Sequence, residues 1–209
     1  MNAKSKIRVV SVDDHPLMHE GISALINNQP DMEIVAGAGN GRDAVAIFRS
    51  HRPDVVLMDL RLPDMTGIDA MSSILLEFRS AKIIILTMFA GDVEIQRALR
   101  GGARGYLLKT SPPEVILDVV RKVHAGKRHI PPEIAAELAE HMGEETLTER
   151  EIDVLGLIGG GNRNRDIAGQ LFISEETVKV HIKHIMEKLG ASDRTQAVAI
   201  ALRRGIIHL

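Results

Sequence analysis

Five short apolar runs, separated by amphipathic stretches of about 10–15 residues, constrain the first half of this chain more than anything else in it. The runs are Arg8–Val12, Met32–Gly37, Val55–Met58, Ile83–Thr87 and Gly105–Leu108. Helical periodicity fills Leu17–Asn28, Gly41–Ser50, Gly67–Phe78, Asp92–Gly101 and Pro112–Ala125. Parallel strands need a crossover between them, so this alternation predicts βαβ units and an α/β doubly wound, five-stranded parallel sheet. The strands are apolar nearly throughout, which predicts burial on both faces.

Four of the runs lead into residues that can do chemistry. Val9-Val10-Ser11-Val12 meets Asp13-Asp14, Val55-Val56-Leu57-Met58 meets Asp59, Ile83-Ile84-Ile85-Leu86 meets Thr87, and Gly105-Tyr106-Leu107-Leu108 meets Lys109. In an open parallel sheet the C-terminal strand ends lie along one edge, where ligands bind. Clustered carboxylates repel one another unless a cation sits among them. An oxygen-rich site with positions left for water suits Mg²⁺. A carboxylate beside such an ion can attack a phosphoryl group, with Lys109 neutralising charge and Thr87 donating a hydrogen bond. A lone strand-end Asp is usually a cap or a solvated loop residue. Five such groups at four strand ends form a site.

This half resembles the receiver domain of two-component response regulators, which has a flavodoxin-like sheet. The matching residues are Val12-Asp13-Asp14-His15, Asp59-Leu60-Arg61-Leu62-Pro63-Asp64-Met65-Thr66-Gly67, Leu86-Thr87 and Lys109. The resemblance implies that Asp59 is the phosphoacceptor. It implies that Asp13, Asp14, Asp59 and the Arg61 backbone carbonyl hold Mg²⁺. Thr87 and Lys109 become the phosphoryl-contacting pair, and Tyr106 the aromatic that turns inward when Thr87 moves. Lys109 is followed by Thr110-Ser111-Pro112, whereas many receivers place the proline directly after the lysine. A phosphatase of the haloacid dehalogenase type would need a second Asp two residues after the nucleophile, and Arg61 stands there.

From Leu147 onward the pattern is helical only. Residues 126–146 read as a linker, with a helix at Glu133–His141 opened by Pro131-Pro132. Thr148 and Glu151 have capping-box spacing, and Gly159-Gly160-Gly161 ends the helix they start. Asn164–Leu171 is a short helix, Ser174 caps Glu175–Leu189, Gly190 stops it, and Ser192 or Asp193 starts a last helix ending near Gly205. The middle pair fits a helix-turn-helix, whose second helix enters the major groove. Val178, Ile182, Ile185 and Leu189 recur at core spacing, which leaves Thr177, Lys179, Val180, Lys183, His184 and Glu187 outward. From Asn162 to the end there are eight Lys/Arg against five Asp/Glu, a mildly basic balance.

This half resembles the LuxR-type DNA-binding domain. It does so through Leu147-Thr148-Glu149-Arg150-Glu151, Ile167-Ala168, Leu171-Phe172-Ile173-Ser174, Glu176-Thr177-Val178-Lys179-Val180-His181, Lys188-Leu189-Gly190 and Arg194-Thr195-Gln196-Ala197-Val198. The resemblance implies that Lys179, Val180 and Lys183 line the groove, with His184 beside them, and that Thr177 and Arg194 meet phosphates. His184 stands where much of the family has Asn, as in nitrate-responsive members.

Together the two resemblances imply a NarL/FixJ-type response regulator and not an enzyme. The expected domains are a receiver over 1–125, the linker over 126–146 and the helix-turn-helix domain over 147–209. The expected partners are a sensor histidine kinase, double-stranded DNA with paired half-sites, a second copy of the chain when phosphorylated, and RNA polymerase. The bulk numbers agree. A formal net charge of −2 announces no membrane or nucleic-acid partner for the whole chain. The absence of cysteine excludes thiol catalysis and Cys-ligated zinc. No apolar run is long enough to span a membrane, and the start Met1–Lys6 is polar, so a cytoplasmic protein is expected.

Overall fold

A computed structural model describes residues 5–88, 92–132, 135 and 146–207. The chain divides into two compact units. The first holds β1 (Ile7–Val12), α1 (Pro16–Asn27), β2 (Met32–Ala38), α2 (Gly41–His51), β3 (Val55–Asp59), α3 (Gly67–Glu77), β4 (Ile83–Thr87), α4 (Asp92–Arg100) from Ile95 onward, β5 (Gly105–Leu108) and α5 (Pro113–His124). The second runs α6 (Glu149–Gly159), α7 (Asn164–Leu171), α8 (Glu175–Leu189) and α9 (Arg194–Arg203).

The five strands are all parallel, in the order β2-β1-β3-β4-β5. The chain leaves β1 to form β2 on one side, then crosses to β3 on the other. The ends of β1 and β3 therefore flank the point where strand order reverses, the usual ligand crevice of such sheets. Val9, Leu57, Ile84, Leu86 and Leu107 form one buried cluster with Ile22 and Ile26 of α1 and Ile116, Val119, Val120 and Val123 of α5. The alternate residues Val10, Val56, Met58 and Ile85 are equally buried. Each such aliphatic side chain contributes about 1.5–3 kcal/mol on burial.

Two expectations need correction. β2 is half-buried through its middle, not covered on both faces, because it is an edge strand with one neighbour. Asp59 is the last residue of β3 rather than the first after it, and its Cα is registered against Leu86. Other boundaries move by a residue or so. The helix expected over Glu133–His141 lies, apart from Ala135, outside the described residues. Residues after α5 continue beside β5, where the His129 carbonyl accepts from Tyr106 N–H at 3.1 Å.

In the second unit, Val154, Leu155 and Ile158 of α6 pack with Ile167, Ala168, Val178, Ile185, Ala197 and Ala201. The caps explain the boundaries. Thr148 and Glu151 form a capping box, and the Ser174 side chain accepts from Thr177 N–H. Gly190 takes a left-handed φ of 60° that ends α8. Asp193, not Ser192, caps α9, which stops at Arg203.

Candidate functional site

The strand ends of the first unit bring the predicted acidic group and the lysine together. Lys109 Nζ donates to Asp59 Oδ2 at 2.7 Å. It also lies 2.7 Å from Asp13 Oδ2 as a close ion pair that lacks hydrogen-bond alignment. These three side chains are 3–5% exposed. Asp13 Oδ1 accepts from the His15 N–H at 2.9 Å, and Asp59 Oδ1 receives a long 3.4 Å contact from Arg61 N–H. Thr87 is buried at the end of β4, and its carbonyl accepts from Lys109 N–H at 2.6 Å, which joins the ends of β4 and β5. Tyr106 is wholly buried within β5, registered against Ile85. Asp14 stands on the water-facing side.

Burial pushes the Asp59 carboxyl above its ordinary range, while the hydrogen bond and charge of Lys109 oppose that shift and the Asp13 charge adds to it. Burial disfavours charge on Lys109 too, but its close contacts with the Asp13 and Asp59 carboxylates win and hold its ammonium above the usual value. One cation thus faces several carboxylates, and the excess negative charge invites a second cation. The donor set fits a divalent ion. One ligand atom each from Asp13, Asp14, His15 and Asp59 lies within 4.8 Å of all the others. The carboxylates provide hard oxygen donors, and the exposed Asp14 side leaves room for water. His15 belongs to this group although the residue pattern did not assign it a role. Its only sequence signal is adjacency to Asp13-Asp14.

The loop after Asp59 is held from both ends. A Cβ at Gly67 would lie 2.0 Å from the Asp59 carbonyl oxygen, so no other residue fits there without moving the loop. Gly67 N–H donates to the Leu60 carbonyl at 2.7 Å. Asp64 accepts from Gly41 N–H at 2.8 Å and Arg42 N–H at 3.1 Å, which ties the loop to the start of α2. These bonds hold the Asp64 carboxyl below its usual range, the Gly41 contact most of all.

In the second unit α8 presents Thr177, Lys179, Val180, Lys183 and His184 to solvent, with Val180 46% exposed. The lysines are not free. Lys179 Nζ lies 3.0 Å from Glu176 Oε2 and Lys183 Nζ 3.7 Å from Glu187 Oε1. Both are solvent-exposed pairs within one helix, and such pairs contribute little to stability. Arg194 is exposed and donates to the Asn162 carbonyl at 3.0 Å. Behind this surface sits a pair that the residue pattern did not reveal. Glu151, 4% exposed, accepts from Lys188 Nζ at 2.8 Å and from Thr148 N–H at 2.8 Å.

Comparison with known proteins decides the family. Residues 9–121 match the response regulator receiver domain, and residues 145–201 match the bacterial regulatory proteins of the luxR family. This chain belongs to the response regulators. It joins a receiver domain to a LuxR-type DNA-binding domain, as transcriptional regulators of this family do, and the family is one of regulators and not of enzymes. The regulator is 41% identical to the uncharacterized transcriptional regulatory protein YxjL of Bacillus subtilis, over 98% of this chain and 99% of that one. It is 38% identical to the response regulator protein VraR of Staphylococcus aureus, over 97% and 99%. Among solved structures it resembles the response regulator ChrA of a heme-sensing two-component system (34% identity, 97% and 100% coverage, TM-score 0.59). It shares its fold with the response regulator RcsB in an RcsB–DNA complex (24% identity, 95% and 99% coverage, TM-score 0.69). Among the described residues no helix is long and apolar enough to cross a membrane.

Proposed function

We propose that Asp59 is the phosphoacceptor of this regulator and that a sensor histidine kinase is the donor. A carboxylate oxygen of Asp59 attacks the phosphorus of a phosphohistidine. The P–N bond breaks, and the imidazole nitrogen leaves with the electron pair. Asp13, Asp14, Asp59 and the Arg61 carbonyl would hold Mg²⁺, which neutralises charge on the transferring oxygens when bound. Lys109 carries the permanent positive charge beside Asp59, and Thr87 donates to a phosphoryl oxygen. The observation that carries this reading is the Lys109 ammonium 2.7 Å from both Asp59 and Asp13 at the strand ends of a response regulator.

The phosphoryl group adds charge and acceptor oxygens at Asp59. Thr87 and Lys109 are drawn to it, and the Tyr106 position responds to the vacated space. The consequence is a homodimer that reads paired half-sites in double-stranded DNA. Lys179, Val180, Lys183 and His184 line the major groove, and Thr177 and Arg194 contact phosphates. The working domains are a receiver over 1–125, a linker over 126–146 and a DNA-binding domain over 147–209. The protein acts in the cytoplasm, with RNA polymerase as a further partner, and loses its phosphoryl group by slow self-hydrolysis. The test is incubation with Mg²⁺ and acetyl phosphate, followed by intact mass. Wild type gains one phosphoryl group and Asp59→Ala gains none. Equal labelling of both would remove Asp59 from this role.

A further inference from the structure

Lys109 and the three carboxylates are accounted for by phosphoryl transfer, but the imidazole among them is not. We propose that His15 is a nitrogen ligand of the divalent ion held at this pocket, so that the pocket binds later first-row metals such as Co²⁺ in preference to Mg²⁺. The inference rests on the proposed cation site at Asp13, Asp14 and Asp59, and it concerns which ions that site takes.

The backbone puts His15 on the rim of the pocket. It is the extended N-cap of α1, at φ −92° and ψ 110°, directly before Pro16, which fixes the first helical turn. Its own N–H is bonded to Asp13 Oδ1 at 2.9 Å, so its position is locked to the acid it would share an ion with. The ring is aimed at the carboxylates. Nδ1 lies 2.7 Å from Asp14 Oδ1 and 3.3 Å from Asp13 Oδ1. With Asp59 these ligand atoms all lie within 4.8 Å of one another. Octahedral ligands at about 2.1 Å from an ion stand roughly 3 Å apart when adjacent and roughly 4.2 Å when opposite. The observed spread is close to that span, so small side-chain adjustments close the set around one ion. The His15 ring is 71% exposed, which leaves it free to make them.

The chemistry then follows from the donor type. Three carboxylates and water suit Mg²⁺ and discriminate little. An imidazole adds little for Mg²⁺ but much for Co²⁺, Ni²⁺ or Zn²⁺, whose affinity for nitrogen rises along the first row. A bland alternative is that His15 only hydrogen-bonds to Asp14 at the rim. In that case its removal changes all divalent ions equally.

The test uses the full chain and the metals alone. Pulsed EPR of bound Mn²⁺ detects a directly coordinated ¹⁴N, and calorimetry gives Co²⁺ and Mg²⁺ affinities. Because the chain has nine histidines, Asp13→Asn serves as the variant that ties the nitrogen signal to this pocket. Wild type should show ¹⁴N modulation that disappears in both His15→Ala and Asp13→Asn. His15→Ala should lose about 10-fold or more in Co²⁺ affinity, with Mg²⁺ affinity nearly unchanged. Mn²⁺ bound without ¹⁴N modulation, or equal loss of Co²⁺ and Mg²⁺ affinity, overturns the inference while leaving the cation site intact. Failure of wild type to bind Mn²⁺ or Mg²⁺ at this pocket overturns the cation site and the inference with it.

Discussion

At the scale of single residues, Asp59 illustrates what burial does to a carboxyl group. Its carboxyl is raised because the strand end takes it out of water, and Lys109 offsets only part of that. A raised carboxyl means that the folded state binds a proton more tightly than the unfolded chain. The associated stability is fully present below the ordinary aspartate value of 3.8 and is lost as pH rises through the folded value. Without divalent ions, receiver stability should therefore fall over that window. Asp59→Asn should remove this part of the pH dependence, as read by denaturant midpoints in EDTA. Parallel wild-type and variant curves would contradict the electrostatic description. Gly67 sets a steric limit at the same site. Gly67→Ala drives a methyl against the Asp59 carbonyl oxygen, with 2.0 Å available, and should destabilise the receiver by about 2–4 kcal/mol. Loss of phosphorylation should accompany it, measured by intact mass with acetyl phosphate. A fully stable, fully labelled variant would mean that the loop can give way.

At the scale of elements, α6 and α8 are clasped by one acid. Glu151 closes the Thr148 capping box and also receives Lys188 from the far end of α8. Burial alone would raise the Glu151 carboxyl, but the Lys188 and Thr148 bonds outweigh it and hold it below its ordinary value. Its stabilisation is present above the ordinary glutamate value of 4.5 and is lost as pH falls through the folded value. Glu151→Ala should cost the second unit about 1–3 kcal/mol at neutral pH and shrink its acid sensitivity. Thermal unfolding at two pH values reads both, and an unchanged midpoint at neutral pH would contradict the clasp. On the outer face of α8, Lys183→Ala should weaken DNA binding and reduce the slope of log affinity against log salt by about 1. An unchanged slope would move the DNA-facing surface elsewhere.

The same elements show what was legible in the residue pattern. The five strands and their helices could be read because a parallel sheet needs buried runs and crossover helices of recognisable period. The caps at Thr148 and Ser174 were local enough to read directly. The half-exposure of β2 was not legible, since strand order decides which run becomes an edge. The acids and Lys109 were legible because strand ends converge by topology alone. The aim of the His15 ring was not, because it depends on a side-chain torsion at a helix start. Lys188 lies 37 positions from Glu151, and only helix packing brings them together. The pairing of Lys179 with Glu176 and of Lys183 with Glu187 is local, at i,i+3 and i,i+4 spacing that the residue pattern already offers.

At the scale of the whole molecule, a receiver and a LuxR-type domain on one chain make a regulator whose input and output are chemically separate. The central claim is that charge added at Asp59 controls DNA binding through self-association. The measurement that tests it most directly follows oligomeric state and DNA affinity together, with Mg²⁺ and beryllofluoride, for wild type and Asp59→Ala. The account predicts that wild type shifts to a dimer and gains affinity for paired half-sites, while Asp59→Ala does neither. An identical response from both proteins, or tight half-site binding by wild type with no dependence on beryllofluoride, would contradict it.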